Sequence, residues 1–297
     1  MEPTPQEVAN VTRALRPLRS APAAWRPVLR GGYTPARRWV VTLEDGRSVF
    51  GKAASDELTA SWIRDEHVTY SMLRGASFMP GYVGFHDDGE HPVLVLEDLS
   101  DAEWPPPWDE RKIRSVLDCL ELVAATPPPA GLPQLDDDHL ELRGGWREIE
   151  RDPAPFLSLG LCSEGWLRAS LPALDEAASS APLGGDALLH VDVRSDNLCF
   201  RADGSAVLVD WNWTSVGNPS CDPVFWLASL RSEGGPEPEE VVPDAPPGLV
   251  SCVAGFLCSR AGLEPIPTAP KVREVQLVQA RVALPWVARA LGLPHPG

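Results

Sequence analysis

Between Leu188 and Leu230 the chain reads LLHVDVRSDNLCFRADGSAVLVDWNWTSVGNPSCDPVFWLASL, and no other run restricts the fold as much. Two short apolar segments, 197–200 and 206–209, flank the turn signal Asp203-Gly204, which predicts a β-hairpin with strands of about four residues. An apolar approach at 187–191 delivers a strand end, Asp192 and Asn197 share the loop that follows, and Asp210 closes the second strand. A hairpin brings its two ends together. The side chains of Asp192, Asn197 and Asp210 are therefore expected to converge on one point.

Oxygen atoms at such a point suit a hard divalent cation, because Mg²⁺ takes one or two carboxylates and completes its shell with substrate phosphates. Asn197 and Asp210 supply a neutral and an anionic oxygen, and Asp192 remains to accept a proton. Arg194, two residues on, adds a positive charge beside the group in transit. This is the division of labour of phosphoryl transfer.

The segment HVDVRSDN resembles the H-x-D-x-x-x-x-N catalytic loop of the protein-kinase-like fold, and VDWNW is similar to the metal-binding strand end that follows it there. GNPSCDPVFWL resembles the G-x-P-x-x-D segment of the aminoglycoside phosphotransferase family, which favours that branch over the protein kinases. Val191 stands where the family pattern usually has glycine. The resemblance implies an α+β, two-lobe, protein-kinase-like fold. Residues 1–98 would form a small nucleotide-binding lobe, an antiparallel β-sheet with one helix. Residues 99–297 would form a larger, mostly helical catalytic and substrate-binding lobe. ATP and Mg²⁺ are the implied cofactors. His190 reads as a core histidine that braces the loop. Asp222, followed by Pro223, has the form of a helix N-cap, and by resemblance it would brace the catalytic loop.

The chain has 297 residues and a formal charge of −16, which argues against nucleic acid, since phosphate recognition needs a basic surface. Residues 1–98 hold 11 basic against 13 acidic side chains and the remainder 15 against 29, so the acidity lies in the second part. A cationic acceptor steered by that field would account for it, as would an acidic surface that keeps the chain soluble. No apolar run is long enough to span a bilayer, and the first twenty residues lack the apolar core of a secretory signal, so a cytoplasmic location with no membrane partner is expected. Six scattered cysteines form no metal-binding spacing and read as free, mostly buried thiols.

From the N-terminus, helical spacing predicts a helix over 6–15, and strands are expected at 26–29, 39–43 and 48–53. Gly31 and Gly32, between the first two, would let backbone N–H groups cover phosphates, as in the family's nucleotide loop. Lys52, the single lysine of the first 98 residues, lies on the third strand, where the resemblance has it pair with the ATP phosphates. Residues 56–73 predict a helix with Leu58, Trp62, Ile63 and Tyr70 inward, and Glu66 on it is the match for the glutamate that holds the lysine. Strands at 81–86 and 93–96 lead into a linker where backbone groups from Glu97 to Leu99 would bind adenine.

A helix over 109–125 opens the second lobe. The acidic stretch 127–152 reads as turn-rich, with Trp146 either anchoring it or facing substrate. A serine-capped helix at 163–179 precedes the catalytic stretch, 232–248 reads as a mobile loop, and helices at 247–261 and 272–290 close the chain, with Pro285 expected to kink or break the last. The function expected from all this is an ATP- and Mg²⁺-dependent phosphotransferase acting on a hydroxyl of a small molecule, an aminoglycoside or other amine-bearing compound. The alternatives are a kinase of a sugar or choline-like metabolite, and a catalytically silent nucleotide-binding module.

Overall fold

The computed structural model describes residues 2–29 and 35–297, so Gly31 and Gly32 lie outside the described residues. Helix α1 (Pro5–Ala14) is opened by a reciprocal cap, the Thr4 hydroxyl accepting from the Glu7 N–H while the Glu7 carboxylate accepts from the Thr4 N–H. Strands β1 (Pro22–Pro27), β2 (Arg37–Leu43) and β3 (Ser48–Ala53) follow, then helix α2 (Glu57–Met72) and strands β4 (Tyr82–His86) and β5 (Val93–Glu97). They build one antiparallel sheet in the order β1-β2-β3-β5-β4. β1 starts earlier than the 26–29 expected. It is an edge strand, where Pro22 and Pro27 are tolerated because no neighbour needs their missing N–H.

One face of the sheet, with Trp39, Val41, Val49, Val93 and Val95, packs on Val11, Ala14 and Leu15 at the end of α1. Gly84 permits this approach, since a Cβ there would stand 2.1 Å from the Ala14 carbonyl oxygen. On α2 the buried line runs through Thr59, Ile63, Glu66 and Tyr70. Leu58, expected inside, is exposed because it sits about 100° around the helix from Thr59.

The chain continues through α3 (Glu110–Ala125), α4 (Leu135–Asp138), α5 (Glu141–Arg151), α6 (Ala154–Leu157) and α7 (Glu164–Ser179). Short strands β6 (Ala187–Leu189), β7 (Leu198–Phe200), β8 (Ala206–Leu208) and β9 (Ser215–Gly217) come next, β7 pairing with β8 and β6 with β9. Helices α8 (Cys221–Ser232), α9 (Pro238–Val241), α10 (Pro247–Ala261) and α11 (Val272–Ala290) end it. Three expectations change. The stretch read as turn-rich contains the eleven-residue α5, with Trp146 fully buried and donating to the Ser251 carbonyl at 3.0 Å. The segment 232–248 holds α9, tied down by Glu237 to Arg231 and Glu239 to Arg289. α11 runs through Pro285 as one helix.

All six cysteines are free, and burial pushes the Cys199 and Cys252 thiols up to about 12. No helix among the described residues is long and apolar enough to cross a membrane. The structure divides into two compact units, residues 1–105 with 196–213, and residues 106–195 with 214–297. The sheet unit thus takes in the β7–β8 hairpin, which a single cut after Asp98 would give to the other lobe.

Candidate active site

Lys52 enters the first unit's interior because β3 is a central strand and its Cβ points to the face covered by α2. Its ammonium lies 2.6 Å from Glu66 Oε2 and 2.9 Å from Asp210 Oδ1, and its side chain is only 8% exposed. Burial alone would pull such an ammonium down, but the Asp210 and Glu66 carboxylates outweigh it and hold Lys52 above the ordinary lysine value. Glu66 on α2 is equally enclosed. The lysine is therefore a fixed charge with a fixed direction.

Asp210 follows β8 in the left-handed region at φ 65°, a turn that aims its carboxylate back at Lys52, and Asn212 Nδ2 donates to the same Oδ1 at 2.6 Å. Asn197, 1% exposed, starts the other strand of the hairpin, and its carbonyl accepts from the Val209 N–H at 2.8 Å. The hairpin predicted from Asp203-Gly204 thus joins its ends at Asn197 and the residue before Asp210. Among the described residues no group of three or more His, Cys, Asp or Glu side chains is placed to hold a metal. Asn197 and Asp210 each carry a side-chain oxygen of the kind a hard cation such as Mg²⁺ accepts.

Arg38 was not singled out in the sequence. It is the cross-strand partner of Lys52, and strand neighbours in register share a face. Burial lowers its guanidinium, and the carboxylates of Asp210, Asp196 and Glu66 act in the opposite sense. Arg38 thus joins Lys52 as a second cation among these carboxylates, of which burial raises Glu66 to about 7. Only the register of β2 against β3 reveals Arg38, and spacing alone does not encode register.

The second unit carries the loop after β6. His190 is fully buried, and Val191 is held at φ 70°. Asp222 is not a helix cap, since Ser220 precedes α8 and Asp222 lies in its first turn. Its two oxygens instead accept the His190 and Val191 N–H groups, both at 2.7 Å. Burial raises the Asp222 carboxyl, with His190 and the two N–H bonds opposing. Past this brace, Asp192 is 27% exposed and Arg194 Nη2 lies 3.3 Å from Asp192 Oδ2. Ser195 Oγ donates to Glu233 Oε1 at 2.5 Å, and the Trp108 indole donates to the other oxygen of Glu233. The Asp192 carboxylate is thus carried on a loop tied at both ends.

The linker groups behave differently from each other. The Glu97 N–H donates to the Gly81 carbonyl at 2.8 Å, and the Glu97 carboxylate binds Arg201. The Leu99 carbonyl accepts from the Ala102 N–H at 3.1 Å and the Trp104 indole at 3.2 Å. Trp211 is buried and donates to the Leu208 carbonyl, and Trp213 is half exposed.

An antiparallel sheet with a buried lysine held by a helix glutamate, in a unit that also takes in Asn197, and a mostly helical unit with His190 and Asp192 of the H-x-D-x-x-x-x-N segment, are the parts of the α+β protein-kinase-like fold. The chain belongs to the phosphotransferase enzyme family, whose model matches residues 24–248, and it is a phosphotransferase. Solved structures agree on the fold. A thermostable mutant of aminoglycoside phosphotransferase APH(4)-Ia, in a ternary complex with AMP-PNP and hygromycin B, is similar with a TM-score of 0.58 at 15% identity, covering 91% of this chain and 95% of that one. Macrolide 2'-phosphotransferase type I has a TM-score of 0.52 at 15% identity, over 98% and 94% of the two chains. A protein proposed as a fructosamine-3-kinase from Haemophilus somnus 129PT has a TM-score of 0.56 at 12% identity, over 92% and 96%. No curated protein matches the chain by sequence.

Proposed function

We propose that the chain moves the γ-phosphoryl group of ATP to a hydroxyl of a small molecule in a Mg²⁺-dependent reaction, with amine-bearing compounds such as aminoglycosides as the acceptor class. The observation that carries this reading is Lys52, buried and fixed between Glu66 and Asp210. An ammonium has three donors. Two meet the carboxylates, and the third is assigned to a phosphate oxygen of the nucleotide. The neighbour solved with AMP-PNP and hygromycin B supports both the donor and the acceptor class.

Mg²⁺, when bound, offsets the phosphate charge, and Asn197 and Asp210 are the residues assigned to hold it. Asp192 takes the acceptor's hydroxyl proton at its carboxylate, with the Arg194 guanidinium 3.3 Å away to orient it. Asp222 keeps the backbone before Asp192 in place through its two N–H bonds. The Glu97 N–H and the Leu99 carbonyl serve neighbouring loops, so base recognition is assigned to the other backbone groups between Glu97 and Leu99.

The test is turnover of ATP and Mg²⁺ with a panel of aminoglycosides and amino sugars, read by the product's mass gain of one phosphate. Asp192→Asn is expected to lower kcat by roughly a hundredfold or more, the scale of a lost general base, with nucleotide affinity retained. An unchanged kcat would remove Asp192 as the base. One observation favours a silent nucleotide-binding module instead, namely the β-branched Val191 in left-handed backbone beside the base. That reading requires ADP binding with no phosphorylated product from any acceptor.

A further inference from the structure

Glu97 ends β5, the strand that pairs with the one bearing Lys52, and its side chain is engaged within the chain. Its Oε1 accepts from Arg201 Nη1, and its Oε2 accepts from Arg201 Nη2 at 2.8 Å and from the Gly81 N–H at 2.9 Å. Such a bidentate fork fixes direction as well as distance. Arg201 is the first residue after β7, at the turn end of the hairpin whose open end carries Asn197 and Asp210. Next to it Phe200 and Glu103 exchange both backbone hydrogen bonds, at 2.9 and 2.8 Å, and the Leu208 N–H donates to the Phe78 carbonyl at 2.8 Å. The hairpin is therefore laid on the sheet unit along its whole length, which is why residues 196–213 belong to that unit.

We propose that the Glu97–Arg201 pair is a positioning buckle, which fixes the hairpin's turn end to the sheet and so sets where Asn197 and Asp210 present their oxygens relative to Lys52. The inference rests on the phosphotransferase reading above and adds to it. Three-residue strands span only about 10 Å. Freedom at the turn is therefore transmitted to the open end, where Asp210 meets Lys52 and Asn212. The pair holds each partner charged, with the Arg201 hydrogen bonds lowering the Glu97 carboxyl and the Glu97 hydrogen bonds raising the Arg201 guanidinium. The fork between the two side chains supports the metal oxygens from behind.

The test measures ADP affinity by calorimetry with and without Mg²⁺, which needs no knowledge of the acceptor. In Arg201→Ala the Mg²⁺-dependent gain in ADP affinity should shrink roughly tenfold, the scale on which residues behind metal ligands act. Metal-free ADP affinity should stay unchanged, and Arg201→Lys should recover part of the gain. A variant that weakens both affinities equally, or one that keeps the full gain, overturns the buckle. Asp210→Asn serves as the control for the underlying reading. If it keeps the Mg²⁺-dependent gain, the metal assignment itself fails, whereas its loss beside an unaffected Arg201→Ala sinks the buckle alone.

Discussion

At Val191 the backbone takes a conformation that the side chain opposes. A β-branched residue at φ 70° meets the following carbonyl, at a cost of roughly 1–2 kcal/mol, and the two N–H bonds to Asp222 keep it there. Glycine adopts this region without strain but loses about 0.5–1 kcal/mol more entropy on folding. Val191→Gly should therefore raise the urea-unfolding stability by about 0.5–1 kcal/mol, from the difference of these two effects. A loss of that size would show that the loop is not strained there. Val191 was visible in the sequence as a departure from a family pattern, and Lys52, Glu66 and Asp210 were legible from their order along the chain. Arg38 and the Glu97 carboxylate were not, because each acts through a partner set by strand register or by hairpin docking, neither of which is written in local spacing.

The element least legible in the sequence was α5, since Gly144-Gly145 within an acidic stretch signals turns. The structure gives one of these glycines a packing reason. α5 crosses α10 so closely that a Cβ on Gly145 would stand 2.2 Å from the Gly255 carbonyl carbon, and one on Gly255 would stand 2.9 Å from the Trp146 ring. Backbone on both sides cannot yield. A Cβ on Gly144 meets nothing within 4 Å. Gly145→Ala should then destabilise the protein by about 2–3 kcal/mol through overpacking, while Gly144→Ala should stabilise it by up to about 1 kcal/mol through helix propensity. Thermal and urea unfolding of the two neighbours decide the matter, and equal effects would refute the close crossing. Helices with apolar stripes and clear caps, such as α3 and α7, needed no such tertiary information, because Asp109 and Ser163 announce them.

Over the whole molecule the charge is uneven, with 11 basic against 13 acidic residues in 1–98 and 15 against 29 in the rest. Part of the acidity around α5 is paired within the chain, Asp136 with Arg143 and Glu148 with Arg260. Pairing cancels charges locally but leaves the excess of −16 as a long-range field. On the proposed reading that field would attract a cationic acceptor and repel a nucleotide, whose phosphates are assigned to Lys52 in the nearly balanced part of the chain. Raising ionic strength from about 0.01 to 0.15 M cuts the screening length from about 30 to 8 Å, so it should remove both effects. For an acceptor bearing several amines, kcat/KM should fall by roughly tenfold over that range, a scale within that of electrostatic steering. For ATP it should hold level or rise. Steady-state kinetics with each substrate varied in turn reads the two slopes separately. Parallel slopes would mean that the acidic excess serves solubility and plays no part in choosing the acceptor.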